Sequence, residues 1–219
     1  MKYKILKNDY IDIKHPVTKN PVRLYRILAL KSFETRGGTV HNGTIGGYIA
    51  DESNLSQNDS SWVFNTAKIF DSALLIDSAV TDDAAVYQTA IVQDSVCRIH
   101  AHVFGDSTVI DSLITNGATV HGTSKIESSK IFDSCQVFGS SQVIRSILHD
   151  GVVVRDQSIV TNCILKDTTT VKGMSNIENC QYAGNMLINN VSCVNETRTF
   201  DVPLEVSQMI YPEGQSGIQ

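Results

Sequence analysis

The chain has 219 residues, a formal charge of −5 and a strong excess of β-branched residues, with 22 Val and 22 Ile against 12 Leu. β-branched side chains are stiff in a helix and suit a pleated surface, so this composition argues against a helical bundle, a coiled coil or a disordered chain. With no apolar run near the ~20 residues of a membrane span, no leader pattern and no C-x-x-C pair among five Cys, the expectation is a cytoplasmic protein with no membrane partner.

Residues 1–47 open with alternating segments, Lys2–Leu6 and Tyr10–Lys14, followed by the run Val22–Phe33. They are predicted to form an N-terminal β cap. Next come Gly46-Gly47-Tyr48-Ile49, Glu52-Ser53-Asn54-Leu55-Ser56 and Trp62-Val63-Phe64.

From Ala67 a 17-residue period begins. Small residues fill the column Ala67, Ala84, Ala101, Ala118, Cys135, Val152 and Thr169, and a large β-branched residue follows each one two places later, from Ile69 to Val171. Two more small-x-large units per repeat start at Ala73 and Ser78 and hold their register to Tyr182. Residues i and i+2 of a strand face the same side, so each unit is a short strand with a small and a large residue pointing inward. Three strands per turn make a triangular coil. The predicted fold is therefore all-β, a single-stranded left-handed parallel β-helix over residues 48–184. The hexapeptide-like spacing favours the left hand, and about seven 17-residue turns would stack to roughly 34 Å. Gly, Asn and Asp at the corner columns fit tight turns, and all four Pro lie outside the repeats. Residues 185–219 lose the period and are expected to form a C-terminal cap and looser tail.

The segment from Leu24 through Gly46-Gly47-Tyr48-Ile49 to Trp62-Val63-Phe64 resembles the YdcK-like family, found in enterobacterial chromosomes, phages and prophages. That resemblance covers roughly residues 1–75 and implies a left-handed β-helix of the hexapeptide-transferase superfamily. It also implies a homo-oligomer, a trimer or dimer, and members are often labelled acyltransferases on the strength of the fold.

Hexapeptide acyltransferases resemble one another in using a base His near a subunit boundary, often beside a loop extruded from one turn. Here no insertion breaks residues 67–182. His102 and His121, which alternation points outward on adjacent turns, are the candidate bases if the chain is an enzyme using acyl-CoA. His100-x-His102 with His121 nearby lacks a carboxylate or Cys at ligand spacing, so no metal site is assigned. The corner Asp columns are explained by turn formation.

The outward column Phe70, Tyr87, Phe104, His121, Phe138 predicts an exposed ring stripe, read together with His102 as an interface or ligand-binding surface. The leading functional expectation is a non-enzymatic scaffold without a cofactor, phage- or prophage-associated. It would oligomerise and bind or sequester a host protein, such as a defence component, or a small ligand. The alternatives are an acyltransferase and a virion accessory protein. With net negative charge and no evident basic cluster, no nucleic-acid partner is expected.

Overall fold

The computed structural model describes residues 1–206, with side chains through residue 199. Apart from one 3-10 turn at Glu52–Asn54, its regular structure is β. Short strands pair in parallel with the strand one turn on. Ala85–Val86 lies between Lys68–Ile69 and His102–Val103, and Ile91–Gln93 lies between Leu74–Ile76 and Thr108–Ile110. The third ladder passes through Ala79–Val80, Val96–Cys97 and Leu113–Ile114. The result is a stacked parallel β-solenoid of about nine turns. Its interior is filled by the small and large columns, from Ala67 and Ile69 to Val171 and Ile177, nearly all of them fully buried.

The sequence period shows seven turns, and the structure adds one at each end. The first contains Ile49, Leu55 and Val63. Ile49 pairs with Ile69 and Leu55 with Leu75, an offset of 20, whereas Val63 pairs with Val80 at the usual 17. Three extra residues between Leu55 and Val63 hide this turn from the period. At the other end the ladder runs past residue 184. Thr170 still pairs with Leu187, but Asn176 pairs with Ser192 and Gln181 with Thr197, an offset of 16. One residue is missing at the corner near Asn190, so the period is lost while the coil continues through Thr197–Val206. Of the cap and tail expected at 185–219, residues 185–206 thus extend the coil, and residues 207–219 lie outside the described residues.

The corners need left-handed backbone. Asp71, Gln88 and Gly105 at the first, Asp77, Asp94 and Asp111 at the second, and Asp82, Asn116 and Asp133 at the third all have positive φ. The second corner is one residue shorter and is bridged from inside. Each Ser there accepts the backbone N–H one turn on: Ser95 N donates to Ser78 Oγ at 3.0 Å, Ser112 N to Ser95 Oγ at 2.9 Å and Ser129 N to Ser112 Oγ at 3.0 Å. Each hydroxyl in turn donates to a carbonyl two residues back. This small column is polar because it replaces a ladder hydrogen bond that the sharp bend removes.

The cap is an antiparallel sheet of β1 (Tyr3–Lys14), β2 (Pro21–Ala29) and β5 (Ile45–Ile49), plus a hairpin of β3 (Phe33–Thr35) and β4 (Gly38–Val40). Tyr3 and Phe33 pack edge-on against Trp62 at 6.2 and 5.5 Å, closing the end of the core. Two side chains satisfy the backbone there. Gln57 accepts from Lys2 N and Tyr3 N and donates to Tyr3 O. The buried Lys2 ammonium donates to Asp59 and to Ser61 O, while desolvation holds its pKa below the usual lysine value. Gly47 is required at the junction, since a Cβ there would lie 2.5 Å from Ala67 O.

Candidate functional site

The outward column of the first face forms the ring stack its spacing predicts. Phe70 and Tyr87 lie 4.9 Å apart at an interplanar angle of 1°, Tyr87 and Phe104 4.8 Å at 4°, Phe104 and His121 4.7 Å at 8°, and His121 and Phe138 5.0 Å at 2°. The spacing is that of neighbouring strands, so the parallel ladder itself sets the stack. His102 meets Tyr87 edge-on at 6.2 Å.

The stack is not uniformly exposed, which corrects the open stripe expected from alternation. The β1–β2 hairpin lies along this face. Ile11, Ile13, Val22 and Leu24 pack on Phe70 and Tyr87, which are only 1% and 3% exposed. Burial also pushes the Tyr87 phenol up to about 12. The hairpin tip is fixed by His15, whose ring stands edge-on to Phe70 and Tyr87 at 5.5 and 5.8 Å. Its Nδ1 accepts from Val17 N and Thr18 N, which places the ring proton on Nε2, facing Asp71 Oδ2 at 2.9 Å. Nothing periodic in the sequence marks His15. The alternation of β1 shows that one of its faces needs cover, but not what covers it.

Beyond the hairpin, Phe104, His121 and Phe138 are half-buried, as is His102. Burial holds the His121 and His102 imidazoles below the usual histidine pKa, with Lys68 and His100 adding to the effect at His102. Neutral imidazoles could accept a proton. Among the described residues, however, neither ring has a side-chain hydrogen bond that would orient it as a base. The corner leading into His102 is strained, because Ile99 and His100 both have positive φ and a β-branched residue tolerates that conformation poorly. His100 turns toward Asp83, with Nδ1 3.8 Å from a carboxylate oxygen.

A different trio comes together at the third corner. Asp133, His149 and Asp150 bring one ligand atom each within 4.8 Å of one another. His149 Nδ1 already faces Asp150 Oδ2 at 2.5 Å, and the two Asp are exposed corner residues with positive φ. Turn formation accounts for them without an ion.

Two shallow hollows lie along the second corner. One is lined by Arg36, Asp94, Val96, Leu113 and Lys130, and the other by Arg145, Ile147 and Ile164. Arg36 comes from the β3–β4 hairpin and pairs with Asp94 at 2.9 Å, so each cap hairpin covers part of one solenoid face.

Residues 99–182 match a family model described as GlmU-like, C-terminal hexapeptide. The match spans about five consecutive turns, and with the solenoid it supports a hexapeptide-repeat β-helix, consistent with the left hand. Hexapeptide-repeat proteins include acyltransferases. No curated protein matches the chain. No helix among the described residues is long and apolar enough to cross a membrane.

Proposed function

We propose that this chain is a binding scaffold: a stiff hexapeptide-type β-helix that self-associates through its first face and holds a partner protein or small ligand along Phe104, His121 and Phe138. The observation that carries this reading is the ring stack left half-exposed where the β1–β2 hairpin ends, on a face that no inserted loop interrupts. Contiguous apolar surface of this kind marks interaction sites. The YdcK-like resemblance supplies a setting, in which the partner is a host protein met by a phage or prophage product in the cytoplasm. The test is the mass of the purified chain in solution, with and without Phe104→Asp and Phe138→Asp. An oligomer that both substitutions dissociate supports the reading, and a monomeric parent chain refutes it.

A second reading, an acyl-CoA-dependent acyltransferase, is favoured by the GlmU-like match, because residues 99–182 contain both His102 and His121. On this reading one of these neutral imidazoles takes the proton from an acceptor hydroxyl or amine as it attacks the thioester carbonyl, and passes it to the CoA thiolate released as the C–S bond breaks. It requires CoA to bind, and acyl transfer to be lost in His102→Ala or His121→Ala. Calorimetry showing no CoA binding at millimolar concentration removes it.

A further inference from the structure

The chain-wide charge of −5 averages two regions of opposite sign. Residues 1–31 hold eight of the eighteen Lys and Arg but only two of the twenty-three Asp and Glu, a formal charge of +6 against −11 for the rest. These cations sit on the cap, and the hairpin places many of them on one surface. The inner face of β1–β2 packs on Phe70 and Tyr87 through Ile11, Ile13, Val22 and Leu24. The outer face therefore carries Tyr10, Asp12, Lys14, Arg23 and Tyr25, with Tyr10 directly opposite Tyr25 and Asp12 opposite Arg23.

On this face aromatic and cationic groups interleave. Tyr10 and Tyr25 meet edge-on at 6.2 Å. The Arg23 guanidinium lies 4.1 Å from the Tyr10 ring centre and the Lys7 ammonium 4.5 Å from that of Tyr25. Tyr10 is 46% exposed. A register shift between Leu6 and Tyr10 makes a shallow hollow flanked by Lys4 and Lys7. Arg23 and Arg26 are committed to Asp12 and Asp9, and Lys2 to Asp59. Among the described residues, Lys4, Lys7, Lys14 and Lys19 are exposed and have no carboxylate within ion-pair distance.

We propose that the outer face of the β1–β2 hairpin binds single-stranded nucleic acid, with bases on Tyr10 and Tyr25 and phosphates on Lys7, Lys14 and, at the hairpin tip, Lys19. An exposed sheet with aromatic side chains among unpaired lysines suits this ligand, because every base offers a flat face and every linkage a negative charge. Lys7 moves from the Tyr25 ring to a phosphate, leaving that ring to a base. The acidic solenoid repels the same polymer and confines it to the cap. The hairpin's outer face is separate from Phe104, His121 and Phe138, so its ligand is independent of the scaffold surface.

The test is fluorescence anisotropy of the full chain with a labelled fifteen-nucleotide oligothymidylate, in 50 and 200 mM NaCl. Binding at the lower salt is expected to weaken about tenfold or more at the higher, as phosphate contacts require. Tyr10→Ala with Tyr25→Ala weakens binding at least tenfold and leaves its salt dependence unchanged. Lys7→Ala with Lys14→Ala flattens the salt dependence. All four residues lie on the outer face, and unchanged thermal melts confirm that the variants fold. No binding at 50 mM NaCl overturns the proposal. So does a duplex that binds as well as the single strand, or Tyr variants that bind like the parent, since either leaves charge alone at work. Sedimentation with vesicles of anionic lipid but no binding of the oligonucleotide overturns it in favour of a membrane surface.

Discussion

His15 Nε2 donates to Asp71 Oδ2 at 2.9 Å, and through this contact the tip of the N-terminal hairpin is held to a corner of the solenoid. The same ring closes the tip by accepting two backbone amides at 3.0 Å. A non-periodic segment is thereby locked onto a periodic one, over the two rings it buries.

Replacing His15 with Ala leaves the Val17 and Thr18 amides without their acceptor and opens a gap beside Phe70 and Tyr87. The expected cost is about 1–3 kcal/mol in urea unfolding. Hydrogen exchange should quicken at Val17 and Thr18 while Val103 and Val137 in the core stay protected. Unchanged protection at the tip would show that His15 does not hold it.

Ile99 occupies a corner position filled by Asp82, Asn116 and Asp133 in other turns, with φ of 49°. Left-handed backbone costs a residue with a branched Cβ roughly 1–2 kcal/mol, and Asn tolerates it. Ile99→Asn is therefore expected to raise stability by about 1 kcal/mol, read as an upward shift in Tm. A lower Tm would mean that the exposed Ile99 side chain contributes more by packing than its backbone costs.

The hydroxyl ladder predicts a graded response at Ser129. Ser146 N donates to Ser129 Oγ at 3.0 Å in the buried second corner. Ser129→Ala orphans that amide and should cost about 1–3 kcal/mol. Ser129→Cys should cost less, because Cys163 already fills this place natively and accepts Cys180 N at 3.3 Å. Equal costs for the two in urea titrations would count against the ladder as a stabilising device.

Burial holds the pKa of His121 and of His102 below the ordinary value. The unfolded chain, titrating near 6.5, then binds protons more readily than the folded one. The stabilisation tied to these neutral rings is complete above about pH 6.5, declines as pH falls toward the folded-state pKa values, and levels off below them. Proton NMR should show both rings titrating below 6.5. His121→Phe, which keeps the stack, should reduce the loss of stability between pH 7.5 and 5.5. A His121 titration above 6.5 would contradict this.

Much of the architecture is written in single columns of sequence. Ala67 to Thr169 and Ile69 to Val171 point inward in every turn, because side chains alternate with period two and each residue pairs with the one 17 places on. The outward ring stack from Phe70 to Phe138 follows from the same arithmetic, including its regular spacing. Local chemistry also marked the corners, since left-handed backbone selects Asp, Asn and Gly. The first and last turns were hidden where the spacing changes, by three residues added before Val63 and one lost near Asn190.

What the sequence could not decide was which parts of that stripe meet water. Phe70 and Phe138 occupy equivalent places in the repeat, yet Phe70 is buried and Phe138 is half-exposed. The difference comes from Leu24 and His15, more than 40 residues earlier, in a hairpin whose docking leaves no periodic trace. The chain-wide charge likewise concealed a basic cap beside an acidic solenoid, because a sum over 219 residues loses the position of each charge. Periodic order depends on neighbours at a fixed offset and can be read along the chain. Lateral cover depends on long-range contacts between unlike segments, and only the folded arrangement determines it.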